Sequence, residues 1–576
     1  MSQHRIGIDR NQIQFSCLED LIADDNIVRV IDAFVDILDF KALGFANITP
    51  KKTGNPPYHP AMMLRIYLYG YLNRVRSSRK LEAECTRNIE MQWLCNYQIP
   101  CYHTIATFRT YKNTDFDKKT DTTTKYNHPK SLKEVFRSFN RFLNGEELFG
   151  KETVATDGTK IRAQNSKKKN YSLDKLDKKI AMSDANIEKY LSELDTFDQI
   201  ETLDSNQALL QTDAKTKLAE LKTWKNTFVD LKAELLNRQE ADPDVTQISI
   251  TDPDARSIVI NNSGHAEVCF NVVTAVDDKH KLIAHFFTDN IKDTTLLAES
   301  LIATKAELDN HFDPNLHKNT EGVYVEDLDL SQKLDKKTTL NGLADKGFHA
   351  ATQIHQCTEA GIVTYVSVPN ISHSGKDKNF TIDNFVYDAE NDHFTCPNNE
   401  ILTSNGNWSD RKDRRGQFVQ RIKRYNMSPK TCANCPFSGK CLSKTAIKNK
   451  VSRILERGEC QQASTDNKKR LETYEGKLMY KKRQGIVEHP FGIIKRQWDC
   501  SYTLLRGLEK VNGEFAIVFT CYNIRRAISI LGVKTLLDKL KAVKSACYTF
   551  FDTLFFLVFS KPPKMNTQTL LVSRCA

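Results

Sequence analysis

The chain has 576 residues, 40% hydrophobic and 27% charged, with a mean hydropathy of -0.50, which excludes one small core and indicates a soluble globular protein of two to four structural units. A formal charge of +11 and a pI near 8.8 suit nucleic acid or another anionic surface, although ordinary enzymes carry as much. Fifteen cysteines, with no apolar signal core in MSQHRIGIDRNQIQF, imply reduced thiols, some able to bind metal, in a cytoplasmic protein.

Residues 1–140 read as an all-helical unit. CLEDLIADDNIVRVIDAFVDILD repeats apolar residues at helical spacing, and Pro60 marks the start of the helix in YHPAMMLRIYLYGYL. Arg65, Arg74, Arg76, Arg79, Lys80, Arg109 and Lys112 give this unit a basic side that could dock on a DNA backbone or remain a solvated face.

A second unit is expected over 150–535. KETVATDGTKIRAQ reads as a strand that ends in Asp157-Gly158. Residues 167–240 form a helical hairpin insertion. Leu173, Leu176, Ile180, Ile187, Leu191 and Leu194 make one apolar stripe, and Leu221, Trp224, Phe228, Leu231 and Leu235 make the other. AEVCFNVVTAVDD, HKLIAHFFTDN, TTLNGLADKGFH and IVTYVSVP supply further strands, with helices between them, so an α/β fold with a mixed sheet follows.

Residues 370–470 interrupt this order with a small hairpin, a basic run at Arg411 to Arg415, and four cysteines: Cys396, Cys432, Cys435 and Cys441. The Cys432-x2-Cys435 spacing and two outlying thiols could close a tetrahedral structural Zn²⁺ site, the alternative being unliganded thiols. Residues 536–576 read as a divergent tail. Its apolar stretch at 546–560 is short for a membrane span and contains Asp552, so no membrane is expected.

Three carboxylates occur in order: Asp157 and Asp345 at strand ends, and Glu488 alone among the cations of YKKRQGIVEHPFGIIKRQW. Oxygen ligands converging from separate elements suit Mg²⁺, and two such ions suit phosphoryl displacement. Lys495 lies two helical turns after Glu488 and shares its face. Arg483, five residues before Glu488, is turned off that face on an ideal helix, with Gly485 and Pro490 able to distort it.

VATDGTKIRAQNS, LADKGFH and Tyr480-x2-Arg483-x4-Glu488-x6-Lys495 resemble insertion-sequence transposases of the DDE superfamily, in the branch with a Tyr-Arg-Glu-Lys signature; YHPAMMLRIYLYGYL and HTIATFR look like the helical domain that precedes the catalytic domain there. The departures are Phe270 and Val273 where Tyr and Gln are common, Tyr102 where Asp is common, and the extra residue before Glu488. The resemblance implies an RNase H-like catalytic domain in which Asp157, Asp345 and Glu488 hold two Mg²⁺ or Mn²⁺ ions. It implies DNA contacts from Tyr480, Arg483 and Lys495, while Lys482 and Arg496 would hold the phosphate backbone by charge. The expected partners are double-stranded DNA, as transposon ends and target, and a second copy when DNA is bound. The expected location is the cytoplasm, at the nucleoid. Two alternatives remain: a catalytically inactive transposition regulator, and a nuclease of the same fold that lacks strand transfer.

Overall fold

A computed structural model describes residues 11, 13, 15–49, 56–117, 122–199, 204–241, 243, 245–259, 266–290, 293–309, 338–369, 378–412 and 418–545. Arg414, Arg415 and the apolar stretch at 546–560 lie outside them. The described residues group into two compact units, 11–139 with 520–545, and 140–519. Residues 520–535, expected in the second unit, therefore group with the first.

In the first unit, α1 (Ile27–Asp36) starts at Asn26, whose side chain accepts from Val28 N at 3.0 Å. α2 (Pro60–Leu72) begins on a proline, where no helical donor is lost, and eleven of its thirteen residues are buried, so it forms the centre of this unit. α3 (Ser78–Arg87), α4 (Ile89–Cys95) and α5 (Tyr102–Phe108) follow. The expectation of an all-helical unit fails next. β1 (Lys112–Asp117) and β2 (Thr122–Asn127) pair as an antiparallel ribbon, consistent with the strand preference of threonine and aromatic residues in KNTDFD and TTTKYN. α6 (His128–Gly145) completes this stretch. Later in the chain, Leu536, Leu537 and Leu540 are buried on the helix Val533–Ser545, so the beginning of the expected tail is folded.

Several of the cations expected to form a DNA-docking side are used internally. Arg65 Nε donates to Asp32 at 2.7 Å and its guanidinium also pairs with Asp36. Arg109 is buried, bonds the Tyr71 hydroxyl at 2.7 Å and lies 4.8 Å over the Tyr67 ring; Arg76 is buried as well. Arg74, Arg79 and Lys80 are exposed. A sequence pattern counts such charges but cannot assign each one a partner.

The second unit is built on β3 (Thr153–Arg162), β4 (Asn170–Tyr171), α7 (Leu173–Asp198), α8 (Ser205–Ala241), β5 (Ile248–Ser249), β6 (Arg256–Val259), β7 (Ala266–Asp277), β8 (Ile283–Asp289), α9 (Leu297–Leu308), β9 (Leu340–Ala344), α10 (Ala351–Glu359) and β10 (Ile362–Val366). Among the described residues, six of these strands make a mixed sheet in the order β10-β9-β3-β7, with β6 and β8 both pairing the far edge of β7. β3, β9 and β10 are parallel, and β7 runs antiparallel to its neighbours. Ten consecutive β7 residues are buried, as a strand covered on both faces requires.

α7 and α8 are antiparallel: Lys232 reaches Asp177 and Lys225 reaches Asp184, each at 2.5 Å. Leu176, Phe228, Leu231 and Leu235 pack with Tyr171, Val245 and Ile248. The stripes loosen away from this base, where Leu191 and Trp224 are 41% and 46% exposed.

Instead of one small hairpin, a five-stranded antiparallel sheet follows: β11 (Val386–Asp388), β12 (His393–Thr395), β13 (Ile401–Lys412), β14 (Phe418–Asn426) and β15 (Ile454–Gly458). The short helices α11 (Pro429–Ala433), α12 (Ser438–Cys441) and α13 (Lys444–Lys448) lie between β14 and β15 in the chain. α14 (Gln461–Glu472) and α15 (Tyr474–Phe491) come next; α15 contains Pro490 and passes into a π-helical turn, Gly492–Gln497. α16 (Leu508–Leu531) is the last of these helices. Among the described residues, no single helix is long and apolar enough to cross a membrane.

Candidate functional site

Asp157 does not end its strand. β3 continues against β7 through Arg162, so Asp157-Gly158 is mid-strand and not a turn. Gly158 is needed there because a Cβ would stand 2.4 Å from Asp293 Oδ1. Asp345 directly follows β9, its Oδ1 accepting from Gly347 N at 2.8 Å to cap a short 3₁₀ turn.

Sheet register explains how these two acids meet. Val154 pairs with Gly342 and Ala155 with Leu343 in parallel. The ladder ends there; continued for two residues, the same register would bring Asp157 level with Asp345, about one strand spacing of 4.8 Å away, and the Asp345 charge does act on Asp157. Burial, then the Asp345 charge, pushes the Asp157 carboxyl up to about 6; Arg483 pulls the other way and Asp293 adds to the rise.

The basic residues come from α15 and its π-helical continuation. Arg483 Nη1 is 3.7 Å from Asp157 Oδ2, and its guanidinium carbon lies 5.8 Å from the Tyr480 ring centre. Lys495 Nζ donates to Lys160 O at 3.4 Å, and burial lowers its affinity for a proton while Asp157 opposes that shift. Lys482 Nζ lies 3.7 Å from Asp278, and Arg496 is exposed.

Glu488 is not gathered with the other two acids. It is exposed, and its Oε1 accepts from Gln484 Nε2 at 2.8 Å, one turn earlier on the same helix. Five residues place Arg483 and Glu488 about 140° apart around α15: Arg483 shares the inward face with buried Ile486 and Val487, and Glu488 points away from it. Among the described residues, no three His, Cys, Asp or Glu side chains stand together closely enough to hold a metal ion.

Sequence reasoning missed a further polar group beside the pair. Asp293 accepts from Lys160 Nζ through both oxygens at 2.9 Å, and from Asn271 Nδ2 at 2.7 Å; Lys160 Nζ also donates to Asn271 Oδ1 at 2.8 Å. Lys160 could have been noted three residues after Asp157. Asp293 had no sequence signal apart from being one of several acids after a strand.

The four cysteines of the five-stranded region line one cavity, together with Phe385, Leu402 and Met427. Cys396 Sγ accepts from Asn398 N at 3.3 Å, and Cys432 Sγ from Arg453 N at 3.5 Å.

Residues 16–111 match the model of a Transposase domain (DUF772), and residues 395–528 match that of a Transposase DDE domain. Together the two matches support a DDE-type insertion-sequence transposase. No curated protein and no solved structure matches it. The second match takes in Tyr480, Arg483, Glu488, Lys495 and the four cysteines of the transposase, while Asp157 and Asp345 fall between the matched spans. Transposases act on DNA, and the DDE family generally uses divalent metal ions.

Proposed function

We propose that this transposase binds the terminal inverted repeats of its insertion sequence, cuts the phosphodiester at their boundary to free a 3′-hydroxyl, and directs that hydroxyl onto a target strand. The register that sets Asp157 beside Asp345, with Arg483 against Asp157, carries this reading. A mixed sheet of five strands in the order β8-β7-β3-β9-β10, with β7 antiparallel to its neighbours, supports an RNase H-like reading of this unit.

The donor set suits a hard divalent ion. Mg²⁺ takes one or two carboxylates and fills its remaining positions with water and substrate phosphate, and two like charges held side by side are relieved by a cation. Asp157 and Asp345 would hold the ions; Glu488, on another side of α15 from Arg483, would join them only if that helix turns or shifts when DNA binds. The ions, when bound, supply the charge that activates a water and steadies the leaving oxygen.

The protein's own residues orient the strand. Arg483, Lys495, Lys482 and Arg496 present positive charge to the phosphates, and Tyr480, beside Arg483, contacts the strand at the cleavage site. Because two ends must be paired, the DNA-bound form is a dimer in this reading, working in the cytoplasm at the nucleoid.

In a Mg²⁺-dependent assay on end-bearing DNA, Asp157→Asn should abolish nicking yet leave end binding largely intact. Nicking by that variant would overturn the assignment. The position of Glu488 favours one second reading, a DNA-binding regulator without catalysis, and absence of nicking by the unaltered protein would select it. Nicked ends without joined products on a target plasmid would instead select a nuclease of the same fold.

A further inference from the structure

The five-stranded region has little to hold it together. Its core is Phe385, Phe394, Leu402, Tyr425, Met427 and Leu455, with Cys396, Cys432 and Cys441 packed against it. α11, α12 and α13 have five, four and five residues, too short to stand as isolated helices. Small structures of this kind are commonly stapled by disulfides or a metal.

The cysteines supply the parts of such a staple. Cys396 opens the tight turn after β12, where Asn399 N donates to Cys396 O at 2.8 Å. Cys432 sits in α11, Cys435 follows that helix, and Cys441 closes α12. Together they line a cavity of about 40 Å³, room for one small ion. The backbone N–H groups of Asn398 and Arg453 donate to the sulfurs of Cys396 and Cys432 at 3.3 and 3.5 Å, so both sulfurs are already held as acceptors at the cavity wall. The thiols surround the cavity without meeting at bonding distance from one centre.

We propose that Cys396, Cys432, Cys435 and Cys441 bind one structural Zn²⁺ as a closed tetrathiolate, which fastens the segment between β14 and β15 to the turn after β12. Zinc is the cation for this set because four thiolates at tetrahedral positions suit it, whereas Mg²⁺ selects oxygen. Binding forms four Zn–S bonds, and the thiol protons pass to solvent. A closed four-sulfur site leaves no open position, so this ion takes no part in cutting DNA.

The test is the metal content of the purified full-length protein by mass spectrometry, with thiols counted before and after a mercurial displaces the metal. About one zinc per chain and four newly reactive thiols are expected. Cys432→Ser and Cys441→Ser should lose the zinc, and Cys17→Ser, which is not in the cavity lining, should keep it. Because a serine variant could fail to fold, unaltered protein grown with Co²⁺ provides an independent measurement. It should show sulfur-to-metal charge transfer and the visible bands of a tetrahedral tetrathiolate. A zinc-free protein without cobalt bands, a Cys432–Cys435 disulfide, iron in place of zinc, or zinc retained by a folded Cys432→Ser variant would each overturn the proposal.

Discussion

Arg483 Nη1 stands 3.7 Å from Asp157 Oδ2, so the carboxylate beside Asp345 already has a positive partner supplied by a helix over three hundred residues later in the chain. A guanidinium in that place competes with any divalent cation for the same charge. At pH 8, where Asp157 is ionised with or without its partner, Arg483→Ala should bind Mn²⁺ about tenfold more tightly. The same variant should bind end DNA more weakly, because it has lost a phosphate contact. Mn²⁺ titration by electron paramagnetic resonance and a DNA shift assay separate the two effects.

Proton competition should govern metal loading. The Asp157 carboxyl titrates at about 6, above its ordinary value, and must lose its proton to act as a ligand. Mn²⁺ affinity should therefore be flat above that pH and fall about tenfold per unit below it. An affinity unchanged down to pH 4.5 would place the ion elsewhere.

Gly158→Ala tests the crowding behind the acid pair. The new methyl would meet Asp293 Oδ1 at 2.4 Å and Asn271 Oδ1 at 2.9 Å, displacing the group that Lys160 holds. A cost of about 1–3 kcal/mol in stability is expected, read from denaturant unfolding. Cleavage should fall further than that destabilisation explains.

His128 makes the first unit acid-sensitive. Its ring is 2% exposed; Nε2 accepts from Ala46 N at 3.0 Å, so Nδ1 carries the proton and donates to Phe108 O at 2.8 Å. Burial holds the imidazole down to about 4 against an ordinary 6.5. The folded state thus resists protonation: the His128 contribution is complete above 6.5 and drains away as pH falls towards 4, on the order of 3 kcal/mol in total. Hydrogen exchange in α2 should accelerate over that window, and much less so in His128→Gln.

In the helical hairpin, Leu235→Ala should cost about 2–5 kcal/mol, since Leu235 is fully buried in the cluster that includes Leu176 and Phe228. Trp224→Ala, at a site 46% exposed, should cost far less. Exchange rates along α7 and α8 distinguish a loosened base from a loosened tip.

Much of the sheet was legible because buried strands leave long apolar runs. AEVCFNVVTAVD and IAHFFTD announced β7 and β8, and the apolar stripes announced α7 and α8. The strand reads as ending at Asp157-Gly158 because local propensity favours a bend there. Pairing with β7 overrides it, and the glycine serves to leave room for Asp293. The five-stranded sheet was read as a hairpin because its strands are mostly exposed and polar, as in ILTSNGNWSDRK, and give little alternation to detect.

Residue types and their order alone defined the chemical inventory: separated acids, a late basic helix around one glutamate, and four thiols in a region between them. Tertiary structure decided which of these meet. The parallel register of β3 and β9 sets Asp157 beside Asp345, and the placement of α15 gives Arg483 to Asp157 while leaving Glu488 with Gln484. The reason is physical: side-chain chemistry is local, but charge and coordination act across a few ångströms of space. Only strand pairing and helix packing turn distances along a chain into distances of that kind.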